Sequence, residues 1–183
     1  MELSEAITGR RSVRSFESRD VPEKTIEKLI DAACYAPSAG NIQPWAFVIV
    51  RNWETKKKIA MAAFNQDFIE KAPVVIIVCA DQKRSSIHYG RRGEILYCLQ
   101  DTAAATQNIL LTAYSLGLGT CWVGAFDEHE ARKVLQIPEG MKPVAIVPVG
   151  YPIDASSRRI RKPLKQIVHY EEFLKSHSHP VLE

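Results

Sequence analysis

The sequence lacks the marks of a membrane-anchored, secreted or metal-centred protein. Its cysteines are widely spaced, without the paired spacing of a zinc site or a redox motif, and there are four of them: Cys34, Cys79, Cys98 and Cys121. No signal peptide or lipidation motif is present, and the longest apolar run, residues 74–80, is too short to cross a bilayer. We therefore expect a soluble cytoplasmic protein whose thiols stay reduced.

The sequence also lacks a strong charge excess, an internal repeat and a linker. Its 24 basic and 21 acidic residues give a net charge of +3, too small for a protein whose main partner is nucleic acid. No Ser/His/Asp or Cys/His constellation for nucleophilic catalysis is present. With 46% hydrophobic residues, the 183 residues can form one domain with a sizeable core. We predict a single domain over residues 1–183.

Hydrophobic periodicity predicts an alternation of helices and buried strands. The helices are expected at residues 2–9, 22–34, 53–64, 93–116 and 128–135, and the strands at 46–50, 74–80, 120–123 and 144–149. Residues 81–92 have no period and are expected to form a polar loop. The lysine run 56–58 is expected to be a solvated face. Because the helix at 93–116 is apolar around most of its circumference, it should be central and buried. The pattern predicts a single α+β sandwich.

Basic residues are concentrated in two stretches that lie far apart in the sequence. Residues 10–16 read RRSVRSF, and residues 158–162 read RRIRK. In an extended segment Ser12 and Arg14 share one face, and Arg11 and Val13 share the other. Two distant clusters of one sign need a common counter-charge if they meet in the fold, which a phosphorylated cofactor would supply. Solvated charge or a nucleic-acid surface is the alternative, and these two stretches alone do not decide between them.

Two further stretches have sequences that are unusual for simple connecting loops. Residues 37–45, PSAGNIQPW, are broken by proline and glycine and precede a buried strand, which indicates a shaped loop. Residues 117–124, GLGTCWVG, follow the long helix. Together with RRSVRSF and with RIRKPL at 159–164, they resemble, in the same order, four motifs of the nitroreductase-like FMN-dependent oxidoreductase family. The match spans most of the chain.

The resemblance implies a nitroreductase-like sandwich with a central, mostly antiparallel sheet around a long buried helix. It also implies FMN at a homodimer interface, with residues 153–183 packing on the partner subunit. Residues of the first and last motifs would hold the phosphate, Arg14 would lie near the pyrimidine edge, and residues 37–41 would come from the other subunit. Residues 122–125 would lie near N5. The implied cofactor-binding residues are Arg10, Arg11, Ser12, Arg14, Pro37, Ser38, Ala39, Asn41, Cys121, Trp122, Val123, Gly124, Ala125, Arg159 and Arg161.

The function implied by the resemblance is that of an NAD(P)H oxidoreductase. Its flavin would take hydride from NADH or NADPH at N5 and pass electrons to a nitroaromatic, a quinone or a similar acceptor in a ping-pong sequence, without a catalytic side chain. A non-redox FMN carrier, reductive dehalogenation and oxidative aromatisation are the alternatives. Many members have a Glu-Gly pair where this chain has Gly124-Ala125, and Ala39 replaces a serine. The chain is also short for the family. The resemblance therefore does not identify the electron acceptor.

A few residues outside these motifs could carry chemistry or only structure. Cys121 could be a reactive thiol, but a small buried residue in a strand is the preferred interpretation. His177-Ser178-His179 could bind a metal, and a disordered tail is preferred. His169 and Tyr170 could cap an interface or merely pack. Asp101 is unusual in an apolar helix, so we expect it to meet a partner there.

Overall fold

A four-stranded antiparallel sheet lies at the centre of the fold. In the computed structural model, which describes residues 1–154 and 160–173, its strands are β1 (Trp45–Val50), β2 (Val74–Asp81), β3 (Gly119–Thr120) and β4 (Met141–Gly150). They lie in the order β1-β2-β4-β3, and each neighbouring pair is antiparallel. β2 is an inner strand, which explains its continuous apolar sequence.

Helices cover both faces of this sheet. They are α1 (Leu3–Gly9), α2 (Glu23–Cys34), α3 (Trp53–Ala62), α4 (Phe68–Lys71), α5 (Gln82–Arg92), α6 (Cys98–Ser115) and α7 (Glu128–Leu135). Short 3₁₀ turns occur at Ala39–Asn41 and Leu164–Gln166. Side chains cap two helices as their sequences predict, because Asn52 accepts from the backbone of Thr55 and Asp127 accepts from that of Glu130. The α+β sandwich is confirmed.

The core is divided into two layers by the sheet. Alternate residues of β2 point to opposite faces, so Val75 and Ile77 join the layer with α3, α4 and α7. Val74, Ile76 and Val78 join the layer that contains α2 and α6. The predicted central helix is confirmed as α6, with residues buried along its length. It is preceded by a π-helical turn, Gly93–Tyr97, rather than by a further α-helical turn.

The prediction of a polar loop at residues 81–92 is wrong, because this segment is α5. Asp81 caps it by accepting from the backbone N–H of Arg84. Only Ser85 is buried in this helix, so the sequence carries no apolar stripe for a periodicity argument to find. The helix is packed through Gly93, where an added Cβ would lie 2.3 Å from the carbonyl oxygen of Ser85.

The last two strands differ in length from the sequence prediction. Beyond Thr120 the expected strand continues only as an isolated bridge between Val123 and Ile146, because the chain turns towards α7. β4 begins at Met141, three residues before its predicted start at 144, and its first residues pair with the end of β2.

The prediction that residues 56–58 are a solvated face is wrong for Lys56. Its side chain is only 6% exposed, and the ammonium donates to the carbonyls of Ala72 and Pro73 at the end of α4. Burial lowers the pKa of Lys56, against the opposing influence of Asp20 and Glu70. Lys57 and Lys58 are exposed as predicted.

Within residues 1–154 and 160–173, no helix combines the length and the apolar character needed to span a membrane.

Candidate functional site

The arginine-rich segment at residues 10–16 lies between the end of β3 and the chain that leaves β4. The backbone N–H of Val13 donates to the carbonyl of Thr120 at 2.8 Å, and that of Ile153 donates to Ser15 at 3.1 Å. Gly119 permits the close approach, since an added Cβ would lie 2.8 Å from the side chain of Val13. The segment is therefore held in position on both sides by backbone contacts.

Three side chains of this segment influence the buried thiol of Cys121. Burial raises the pKa of Cys121, whereas the charge of Arg14, a hydrogen bond with Ser12 and the charge of Arg10 act in the opposite direction. Cys121 is 1% exposed, so the prediction that it is a small buried residue is confirmed. The segment therefore presents Ser12 and two of its arginines on the side of the 117–124 motif.

One described arginine of the second basic cluster, Arg161, acts electrostatically on Arg10 of the first. The pKa of Arg10 is lowered by its partial burial and then by the positive charges of Arg161 and Arg11. The ion pairs found within residues 1–154 and 160–173 join Arg51 to Asp20 and Glu23, and Lys142 to Glu128, so none of them neutralises these arginines. An anion would relieve this repulsion, and the donor set fits the phosphate of FMN. Arg159 lies outside the described residues.

The remaining arginines of the segment have separate environments. The Nη1 of Arg11 donates to the carbonyls of Thr8 and Arg10, both at 2.7 Å, and so helps to close α1. Arg14 lies with its Cζ 5.6 Å from the centre of the Phe68 ring, a cation–π distance. A pocket of about 500 Å³ opens beside Arg10 and Arg11 and includes Tyr114 and Ile153 in its wall.

The loop at residues 37–45 is shaped by its own polar groups. Ser38 Oγ accepts from the backbone of Gln43 at 3.0 Å, and the Gln43 amide donates to the backbone and side-chain oxygens of Asn41. Gly40, Asn41 and Gln43 all have positive φ, near 55°. Pro37 is exposed at the start of the loop. The predicted shaped loop is confirmed, and the side chains of Ser38, Asn41 and Gln43 help to shape it.

Asp101 of α6 fixes this loop to the core. Its Oδ1 accepts from the backbone N–H of Ala39 at 3.2 Å, which confirms the prediction that Asp101 meets a partner. The residue is 7% exposed, and its Oδ2 has no hydrogen-bond partner among the residues that the structure describes. Burial raises the pKa of Asp101, against the bond from Ala39. The carboxyl group is thus an anchor held at some electrostatic cost.

The arginine segment and the loop lie at different ends of α6. Gly9 packs against the ring of Tyr114, whereas the loop is bound to Asp101. Thirteen residues of α6 separate Asp101 from Tyr114, or about 20 Å along the helix. Within one chain, the structure brings Arg10, Ser12, Arg14, Cys121 and Arg161 together and keeps residues 37–41 apart from the Arg10 end of the group.

Residues 122–125 are held by contacts that the sequence does not reveal. The side-chain amide of Gln66 donates to the carbonyl of Ala125 at 3.0 Å and to that of Ala63 at 2.8 Å. Val123 is buried and exchanges backbone hydrogen bonds with Ile146, while Trp122 and Gly124 are exposed. Gln66 lies in a short connection between helices that has no motif or period, so only the fold identifies it as a positioning residue.

The chain is similar to known proteins over most of its length. The sequence model of the Nitroreductase family matches residues 7–66 and 60–151. A protein of Methanothermobacter thermautotrophicus, provisionally named NADH dehydrogenase/NAD(P)H nitroreductase, is 40% identical over 87% of this chain and 82% of its own. The FMN reductase [NAD(P)H] of Bacillus subtilis is 31% identical over 94% of this chain and 75% of its own.

Solved structures agree with the sequence comparison. NfrA2 of Bacillus megaterium superposes with a TM-score of 0.88 at 29% identity, covering 95% of this chain and 76% of its own. The matched segments contain the arginine-rich segment, the loop at 37–45 and the 117–124 motif, which are the parts of the site described above. This chain therefore belongs to the nitroreductase family.

Proposed function

We propose that this protein is an FMN-dependent NAD(P)H oxidoreductase that acts through a site shared by two subunits. The observation that carries the proposal is the convergence of Arg10, Arg14 and Arg161 beside Ser12, with no carboxylate paired to them in the described part of the chain. Such a group requires an anion, and relatives named as FMN reductases support FMN in that role.

The phosphate of FMN would be held by Arg10, Ser12 and Arg161. A guanidinium binds phosphate bidentately, and a charge-assisted hydrogen bond of this kind contributes roughly 1.5–3 kcal/mol. Arg159 remains a predicted fourth contact, since it lies outside the described residues. Arg11 remains a predicted contact too, although part of its donor capacity is used at the end of α1.

Bound FMN would supply the redox chemistry, accepting a hydride from reduced nicotinamide at N5 and passing electrons to a second substrate in a ping-pong sequence. The protein would then orient the flavin and tune its redox properties. Arg14, held over Phe68, would place positive charge near the pyrimidine edge, where negative charge develops on reduction. The backbone at Gly124 and Ala125, positioned by Gln66, would face the N5 region.

The second half of the site would come from another copy of the chain. The loop at residues 37–41 is bound at Asp101, about 20 Å along α6 from the Tyr114 end against which Gly9 packs, and this separation supports a site whose loop comes from a second subunit. Residues 160–173 also expose apolar side chains that a partner subunit would cover: Ile160, Leu164, Ile167, Tyr170 and Phe173. We therefore place the site in a homodimer whose C-terminal segments pack on the opposite subunit.

The electron acceptor would meet few polar side chains of the protein. Gly124 and Ala39 are small residues at positions where the resemblance leads us to expect a glutamate and a serine, so the pocket favours a flat, uncharged acceptor such as a nitroaromatic or a quinone. Burial raises the pKa of Cys79 to about 11 and raises that of Cys121, so neither thiol is poised as a nucleophile at neutral pH.

The function is tested by anaerobic titration of the FMN-loaded protein with NADH and with NADPH. We expect the yellow absorbance to bleach with at least one donor and to return when a nitroaromatic or a quinone is added. A Cys121→Ser variant should behave in the same way, because no step needs a thiol. A flavin that stays oxidised with both donors would favour the carrier function instead.

A further inference from the structure

The exposed face of α5 carries a concentration of basic side chains close to the proposed site. Lys83, Arg84, His88, Arg91 and Arg92 are all exposed. The nearest acidic residues along the chain are Asp81 and Glu94, and Asp81 is engaged in capping the helix. None of the ion pairs found in residues 1–154 and 160–173 involves a residue of this face. The basic face of α5, as we call it, is thus positive and not neutralised by paired carboxylates.

Arg92 is held in a defined position within this face. Its Nε donates to the hydroxyl of Tyr97 at 2.9 Å, and its Cζ lies 5.3 Å from the centre of the same ring. Tyr97 in turn meets Tyr89 edge to face, with ring centres 5.2 Å apart. The two terminal nitrogens of Arg92 make no hydrogen bond to a residue that the structure describes. They form a preorganised fork, which is the geometry that matches a phosphate group.

The same aromatic pair connects α5 to the loop at residues 37–45. The hydroxyl of Tyr89 lies so close to Gly40 that a Cβ on that glycine would be only 2.6 Å away. Gly40 belongs to the loop that we place against FMN, and Ala39 beside it is anchored to Asp101. The basic face therefore borders the half of the site that the loop forms.

We propose that the basic face of α5, with Arg92 as its central contact, binds the 2′-phosphate of NADPH and so makes NADPH the preferred electron donor. The inference rests on the proposed function, because it identifies which reduced dinucleotide that site uses. The nicotinamide must approach the flavin, and the adenosine half of the donor then extends away from it towards the rim. NADPH presents a dianionic phosphate there, whereas NADH presents a hydroxyl. A fork without a counter-charge distinguishes strongly between these two groups.

The other arginines of the face act mainly through their charge. Arg91 follows Gly90, whose backbone has φ 54° and ψ −145°, so the chain turns sharply just before the two arginines. Lys83 and Arg84 lie earlier on the helix, before this turn, and are exposed as well. They raise the local positive potential, which attracts the phosphate and weakens with added salt.

The inference is tested by calorimetric binding of adenosine 2′,5′-bisphosphate to the FMN-loaded protein, with adenosine 5′-monophosphate as the ligand that lacks the 2′-phosphate. Native protein should bind the bisphosphate at least about tenfold more tightly, as one charge-assisted contact implies. Arg92→Ala should lose most of that preference. Arg92→Lys should recover only part of it, because lysine keeps the charge without the fork. Lys28→Ala, which removes one exposed charge from α2, is the matched control and should bind as native.

Three results would overturn the inference: equal affinity of native protein for the two ligands, unchanged affinity in Arg92→Ala, or an equal loss in Lys28→Ala. Neither ligand carries a nicotinamide, so this binding is independent of electron transfer. Bleaching of the flavin by NADH and by NADPH is measured on the same samples. If bleaching occurs without the binding preference, the inference fails and the proposed function stands, whereas a preference without bleaching by either donor contradicts the function itself.

Discussion

The two carboxyl oxygens of Asp101 have different environments, and this difference predicts how stability depends on pH at this residue. Oδ1 accepts from Ala39, while Oδ2 is buried with no partner among the described residues. Burial favours the protonated form, so the folded chain keeps the proton of Asp101 to a higher pH than the unfolded chain does. The stability associated with this group therefore falls as the pH rises from its unfolded pKa through its folded pKa.

We predict that Asp101→Asn becomes more stable than native protein as the pH rises. The amide keeps an oxygen for Ala39 and has no charge to bury. Below about pH 3.9, the ordinary pKa of an aspartate, the two free energies of unfolding should be similar, and above it the variant should gain. Urea unfolding across this range measures the difference, and Asp31→Asn on the exposed side of α2 reports the effect of charge removal alone. If the free energy of unfolding of Asp101→Asn falls relative to that of native protein as the pH rises, the assigned direction of the Asp101 pKa shift is wrong.

Lys56 is a second buried charge, and its role is structural. Its side chain is buried, and its ammonium donates to the carbonyls of Ala72 and Pro73 between α4 and β2. We predict that Lys56→Met lowers the free energy of unfolding by about 1–3 kcal/mol, because two carbonyls lose their donor. Lys58→Met, two residues further along α3 at an exposed position, should change it by less than about 0.5 kcal/mol. Equal effects in denaturant unfolding would refute the assignment.

At the scale of elements, one close contact couples the sheet to the candidate site. Gly119 of β3 lies against Val13, and the arginine-rich segment hydrogen-bonds to Thr120 next to it. We predict that Gly119→Ala costs about 1–3 kcal/mol of stability through overpacking and weakens FMN binding, because the segment must move away. Gly124→Ala is the control for stability, since its nearest contact would be 4.0 Å away. Thermal unfolding and flavin fluorescence report the two effects, and a Gly119→Ala protein with native values in both would exclude the coupling.

The elements with a strong apolar pattern could be predicted from the sequence, and those held by tertiary contacts could not. α2, α6 and β2 bury periodic or continuous apolar residues, so their sequences contain the signal directly. α5 buries only Ser85 and is supported by Gly93 and Asp81 instead. The strand predicted at residues 120–123 ends at Thr120, because the backbone leaves the sheet towards α7. No local sequence pattern indicates this turn.

In the candidate site, too, residues with an unusual sequence could be predicted, whereas residues that act through tertiary contacts could not. The arginines and the polar loop have unusual sequences, so they could be found before the fold was available. Gln66, which donates to Ala125, and Phe68, which lies under Arg14, belong to segments without a motif, and single residues of common types carry no sequence signal. The electrostatic effect of Arg161 on Arg10 was predictable only as a shared need for a counter-charge, since most of the chain separates the two residues.

At the scale of the molecule, α6 acts as a spacer as well as a core helix. It keeps the arginine-rich segment near Tyr114 and the loop near Asp101, about 20 Å apart along its axis. In the proposed shared site, two chains related by a two-fold axis would each supply one of these parts to two equivalent sites. An obligate interface of this type buries well over about 2,000 Å² in total and is largely apolar. The exposed apolar side chains of α1 and of residues 160–173 are suited to such an interface.

The shared site predicts complementation between two inactive subunits. One subunit carries Arg10→Ala and Arg14→Ala, and the other carries Ser38→Ala and Asn41→Gly, in which glycine preserves the positive φ of residue 41. In a heterodimer one site combines both defects and the other is intact. Random pairing of equal amounts gives about half heterodimers, so about a quarter of all sites should bind FMN and oxidise NAD(P)H, although each parent is inactive.

Flavin content and donor oxidation are measured after the two are refolded together, with each parent refolded alone as the control. Verified heterodimers without activity, or an active native protein that sediments as a monomer, would show that each chain forms its site alone.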